Sequence, residues 1–153
     1  MDPVLLSVSH VRQRNSGECV AACSMMALTY LGFSVPYKRL VELLKISWFG
    51  TPSFNIRELE KLGVAVIYKQ GSFAEIQSHL ENGRPSIAFV KTRELPYWEE
   101  DTGHAVLVVG LDDEYVYVND PAMEDAPIQI SRGDFDLAWL EWDELYAVFM
   151  RRE

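Results

Sequence analysis

Gln13, Cys19, His104 and Asp120 are residue types from which acyl-transfer chemistry is built. Cys19 lies in the run Gln13-Arg-Asn-Ser-Gly-Glu-Cys19-Val-Ala-Ala-Cys23, a turn-like stretch leading into an apolar helix. A thiol at a helix N-terminus sits at the positive end of the dipole, which favours a thiolate nucleophile. Gly17, Ala21 and Ala22 leave room for a substrate beside it. Read on this segment alone, Cys19 fits a buried structural cysteine as well as a nucleophile. Cys23, on nearly the same helix face, reads as a small core hydrophobe.

A thiolate needs a base and counter-ion, and histidine supplies both. His104 opens the most apolar stretch of the chain, His104-Ala-Val-Leu-Val-Val-Gly-Leu111. A polar residue at the mouth of a core strand lies at a sheet edge, where a cleft can form. Glu99, Glu100 and Asp101 precede it, and their charges favour an imidazolium. His10 reads as an ordinary polar residue, and His79, between Gln77 and Glu81, as solvated.

The candidate that orients the His104 ring is Asp120, in Asn119-Asp120-Pro121. Asp112-Asp113 reads as a hairpin turn, and counting outward from it brings His104 and Asp120 within a residue or two of direct opposition. Opposed residues of an antiparallel pair approach to ~4.5–5.5 Å. Asp-Pro is equally a turn starter, and Asn119 is the alternative orienting residue. Gln13, six residues before Cys19, can donate its amide to an oxyanion together with the Cys19 backbone N–H.

Residues 19–31 are expected to form a helix closed by Gly32. Pro36 starts a second, with Leu40, Leu43 and Leu44 at helical spacing. Residues 53–62 form a third, with Ile56, Leu59 and Leu62 on one face, and residues 73–80 a fourth. Strands are expected at 64–68, 86–90, 104–111, 114–118, 128–130 and 146–150, with a short helix at 134–140. Helices first and an antiparallel sheet later make an α+β domain, N-terminal helices packed on a C-terminal sheet. The thirteen-residue connection 91–103 is long enough to be a wall or lid of a groove, and an ordinary surface loop fits it too. Trp48, Phe49, Tyr97 and Trp98 are candidate lining residues of a hydrophobic groove.

The chain has 153 residues, which suits one domain over 1–153. Its 23 acidic and 14 basic residues leave a net charge of −9, which excludes binding through phosphate neutralisation. No nucleic-acid partner is expected. No apolar run approaches the ~20 residues of a membrane span. Met-Asp-Pro opens no secretory signal, so a cytoplasmic location is expected. Phosphate-loop, dinucleotide and His-Glu-x-x-His motifs are missing, so no cofactor and no metal is expected. Two cysteines are too few for a disulfide scaffold.

Gln13, Cys19, His104 and Asp120, in that order, resemble the site of the papain-like cysteine peptidases. More narrowly, the chain resembles the bacteriocin-processing peptidases that cleave leader peptides after double-glycine motifs. The resemblance runs nearly the whole length. It rests on Gln and then Cys six later opening an Ala-rich helix that ends in Tyr30-Leu-Gly32, on Gly83-x-Pro85 before a strand, on Gly103-His104, and on Asn119-Asp120-Pro121-Ala122. It implies a papain-like fold with Cys19 as nucleophile, His104 as general base and acid, Asp120 as its orienting partner and Gln13 as oxyanion donor. It also implies a peptide or protein substrate. Such domains usually begin an ABC transporter, so a transporter partner of this chain would be a separate protein. The family usually has Asp-Cys-Gly at the nucleophile; here it is Glu18-Cys19-Val20, and Val20 narrows the space beside the thiol. Two other functions remain open on sequence: a leader-peptide binding module without turnover, and an acyl-transfer or amidase enzyme using the same triad. Oligomeric state is not legible.

Overall fold

The computed structural model describes residues 2–152; Met1 and Glu153, the ends of the expected domain, lie outside the described residues. Its strands are β1 (Val4–Leu5), β2 (Val64–Gln70), β3 (Ser86–Lys91), β4 (Gly103–Leu111), β5 (Tyr115–Asn119), β6 (Ile128–Ser131) and β7 (Leu145–Arg151). They form one antiparallel sheet in the order β2-β7-β3-β4-β5-β6, with β1 paired to the end of β4. The helices are α1 (Cys19–Tyr30), α2 (Tyr37–Leu43), α3 (Phe73–Glu81) and α4 (Arg132–Leu140). Among the described residues no helix is long and apolar enough to cross a membrane.

Strand alternation sorts the core into two layers. Ile87, Phe89, Ala105, Leu107, Ala147 and Phe149 face α1, α2 and the segment Ser53–Leu62. Ala88, Val90, Val106, Val108, Tyr146 and Val148 face α3 and α4. The expected α+β architecture is observed, with helices on both faces of the sheet. Val109 follows Ala105 and Leu107 in the first layer, and the bulge in β4 between Val108 and Gly110 then puts Leu111 in the second. α1 is apolar nearly all round, and Val20 to Ser24 and Met26 to Leu28 are buried against β4 and α2. Truncating a large buried side chain such as Met26 or Leu28 costs about 2–5 kcal/mol.

One expectation changes and one element was not expected. Ser53–Leu62 is a 3₁₀ helix, not an α-helix. Ile56, Leu59 and Leu62 recur at intervals of three, the spacing that lines up on one face of a 3₁₀ helix. The two-residue strand β1 is too short to show a period.

Candidate active site

Cys19 opens α1, and its position is set by the turn before it. Gly17 has φ +88°, and a Cβ there would lie 2.8 Å from the Gly50 nitrogen and 3.1 Å from the Trp48 carbonyl. Only glycine fits both the backbone and the close approach of the 47–50 loop. Glu18 pins the same turn. Its carboxylate accepts from the Asn15 backbone N–H (3.3 Å), the Asn15 side chain (3.1 Å) and the Tyr37 hydroxyl (2.9 Å). Glu18 makes no side-chain cap on α1, and the first turn holds no acidic residue. The first N–H groups of the helix beside the thiol are thus left without a side-chain acceptor.

His104 is the second residue of β4, pairs with Val90 and is 8% exposed. Its Nε2 lies 2.7 Å from Asp120 Oδ1. A carboxylate only accepts, so Nε2 carries the proton and donates. Cys19 and His104 line the same cleft, and Nδ1 is the ring nitrogen that the carboxylate leaves unused. Burial pulls the His104 pKa down, but the hydrogen bonds and charges of Asp120 and Cys19 outweigh it and raise the value to about 9.

Asp120 follows β5 and is fully buried. Oδ1 also accepts from the Ala122 backbone N–H at 2.9 Å, and Oδ2 accepts from the Tyr97 hydroxyl at 2.7 Å and the Trp98 indole N–H at 2.8 Å. Burial alone would raise the Asp120 pKa, yet the bonds and charge of His104 and the donors Trp98 and Ala122 hold it below the ordinary carboxylate value. Trp98 also packs on the His104 ring, centroids 4.8 Å apart and planes at 59°. The 91–103 connection thus backs the His104–Asp120 pair. Tyr97 and Trp98 do not line the groove as expected; they hold the aspartate. No periodicity signals that role, although an aromatic pair with polar tips inside a long loop is a usable hint.

The hairpin count is matched by this contact. β4 and β5 pair Leu107 with Asn119, which leaves Asp120 two residues short of direct opposition to His104. Asn119, the alternative orienting residue, points elsewhere: its amide donates to the Val8 carbonyl at 3.1 Å and contacts Met26 Sδ at 3.7 Å. Gln13 lies beside the Asp120 turn, its backbone N–H donating to the Pro121 carbonyl at 2.8 Å. Its Nε2 donates to the Asn15 carbonyl at 3.3 Å, and Gln13 Oε1 is buried with no partner.

Cys23 is fully buried, and its thiol donates to the Ala105 carbonyl at 3.6 Å. Burial, then the charges of Cys19 and Asp120, raises its pKa. Both cysteines are free thiols. His79 is partly buried and bonded within the fold: Nε2 contacts the Tyr146 hydroxyl at 3.1 Å and Nδ1 accepts from Arg84 at 3.1 Å. An amphipathic helix places His79 over the sheet, where Tyr146 reaches it. His10 bonds the Met123 carbonyl at 2.7 Å.

A cleft of about 500 Å³ opens at Cys19 and His104. Val20, Phe49, Phe54, Phe89, Ala105 and Trp142 are among its walls. Of the expected aromatic lining, Phe49 is present; Phe54 and Trp142 were not legible.

A buried imidazole hydrogen-bonded to a carboxylate and lining one cleft with a thiol suits thiol hydrolysis. The sequence matches the family model of the peptidase C39 family over residues 7–151. The chain belongs to the peptidase C39 family. It is a cysteine peptidase, as that family implies. No curated protein sequence matches it significantly. The fold of this C39 peptidase is shared with solved structures. A C39-like peptidase from Bacillus anthracis superposes with a TM-score of 0.83 at 18% identity, covering 100% of both chains. The double-glycine motif protease of an AMS/PCAT transporter, solved with its leader peptide, gives 0.74 at 21% identity over 99% of each chain. The peptidase domain of Streptococcus ComA, a bifunctional ABC transporter of a quorum-sensing pathway, gives 0.78 at 18% identity over 95% of this chain and 100% of that one.

Proposed function

We propose that this C39 peptidase, acting as one domain over residues 1–153, hydrolyses a peptide amide bond with Cys19 as nucleophile, His104 as general base and acid, and Asp120 as the group that orients His104. The observation that carries this reading is the buried His104–Asp120 pair, Nε2 donating at 2.7 Å, with His104 lining the same cleft as Cys19. The Cys19 thiolate attacks the carbonyl carbon and forms a C–S bond. The carbonyl oxygen becomes an oxyanion held by the Cys19 backbone N–H and by Gln13. Gln13 spends one N–H of its amide on the Asn15 carbonyl and keeps a second for this task. His104 then gives its proton to the departing amine as the C–N bond breaks. Water, deprotonated by His104, attacks the thioester; the acid leaves and Cys19 returns to thiolate.

The relative solved with a leader peptide supports a leader segment as the substrate. The relative that is part of an ABC transporter supports a transporter as the partner, and with it a cytoplasmic site of action. Peptides incubated with the enzyme and resolved by mass spectrometry test the reading. Free acid and free amine are expected from wild type and nothing from Cys19→Ala. Conjugates to an added amine would make it a transferase instead.

A further inference from the structure

We infer that the peptide this cleft accepts carries a large apolar side chain within two residues of the scissile bond, and not a pair of glycines there. The inference rests on Cys19 and His104 being the reacting pair and names what their cleft selects. Among the described residues the walls hold no carboxylate, ammonium or guanidinium, and His104 is the one titratable group besides the thiol. Around it are Val20, Phe49, Phe54, Phe89, Ala105 and Trp142. Phe89 is buried and makes a floor, while Phe49 is 73% and Phe54 59% exposed, with Trp142 41% exposed. Rings left in water beside a reactive thiol mark a surface that a ligand completes. The volume, about 500 Å³, falls in the range of pockets that enclose whole small ligands, and such pockets are mostly apolar.

The backbone that carries the rings is also braced by hydrogen bonds. The Ser47 hydroxyl donates to the Gly50 carbonyl at 3.1 Å. Thr51 and Asn55 both donate to the Leu44 carbonyl, at 2.6 and 3.1 Å. These bonds fix the loop that carries Phe49 at one end and Phe54 at the other. Trp142 lies over Gly103, where a Cβ would come within 3.0 Å of its ring. A glycine pair brings no side chain to such a pocket and would leave the rings wet. A leucine, isoleucine, methionine or phenylalanine covers them and displaces poorly bound water. Val20 acts in the same direction, because it presents an apolar wall beside the thiol.

The test is the cleavage-site profile of a mixed peptide library, read by mass spectrometry, with Cys19→Ala as the control. A single methylene in a hydrophobic pocket is worth roughly 10–200-fold in kcat/KM, so large apolar residues should be enriched about tenfold or more at one position within two residues of the bond. Phe54→Ala and Phe49→Ala, both at exposed positions that folding does not need, should each lower that enrichment severalfold. Enrichment of Gly-Gly at the bond, or a profile unchanged in both variants, overturns the inference while leaving the peptidase standing. Absence of any Cys19-dependent cleavage removes the peptidase reading and the inference with it.

Discussion

The indole N–H of Trp98 donates to Asp120 Oδ2 at 2.8 Å, on the carboxylate oxygen that His104 does not use. A fully buried carboxylate is stable as an anion only if its lone pairs are filled. Here four donors fill them: His104, Tyr97, Trp98 and the Ala122 backbone. The loop that approaches from the far side of the pair is therefore what keeps Asp120 ionised and His104 bonded to it.

Trp98→Phe keeps an aromatic ring against His104 and deletes one donor. A buried acceptor left short of a partner costs about 1–3 kcal/mol, so the midpoint of denaturant unfolding should fall accordingly. Asp120 has a depressed folded pKa, so its stabilisation is present above its unfolded value and lost as pH falls through the folded one. The variant raises the folded value, so its acid unfolding should begin at higher pH than that of wild type. An acid transition that does not move would separate Trp98 from the charge of Asp120.

Asp120→Asn preserves shape and removes charge. His104 then loses a carboxylate acceptor, and its ring has no fixed tautomer. Turnover should drop roughly 10²–10⁴-fold, as when the orienting aspartate of a hydrolase triad becomes an amide. Asp120→Ala strands the four donors and should cost about 3–5 kcal/mol of stability. Steady-state kinetics on the first variant and chemical unfolding on the second check both.

His104 titrates at about 9 in the folded protein against roughly 6.5 for a free imidazole. The folded state thus binds the proton more tightly than the unfolded one. Its contribution to stability is complete below about pH 6.5 and disappears as pH rises through about 9. Unfolding measured from pH 6 to 10 should show that loss in wild type and not in His104→Ala. The alkaline limb of kcat/KM should fall in the same range.

Gln13→Ala should lower kcat by roughly 10²–10³-fold with a smaller change in KM, because an oxyanion donor acts mainly in the transition state. Thermal unfolding should move little, since the Gln13 side chain makes one long bond, to the Asn15 carbonyl at 3.3 Å. A change confined to KM would place Gln13 in ground-state binding instead.

The element order was legible because period 2 and the helical period dominate an apolar chain, and the His104–Asp120 contact followed from counting residues around Asp112-Asp113. The count tolerates the β4 bulge because an offset of two residues remains within side-chain reach. What stayed hidden depends on paths that no period encodes. Tyr97 and Trp98 reach Asp120 across a loop of irregular backbone. Trp142 comes back over Gly103 from beyond α4. Phe54 belongs to a 3₁₀ segment, whose three-residue period sequence reading treats as α-helical.

The account stands on Cys19 being the activated thiol and Cys23 a packing residue. The direct measurement is the rate of iodoacetamide labelling at each cysteine in the folded protein, resolved by peptide mass spectrometry, in wild type and His104→Ala. Cys19 should react far faster than Cys23, which is fully buried, and should lose most of that advantage in His104→Ala. Equal labelling of both cysteines, or a Cys19 rate indifferent to His104, would contradict it.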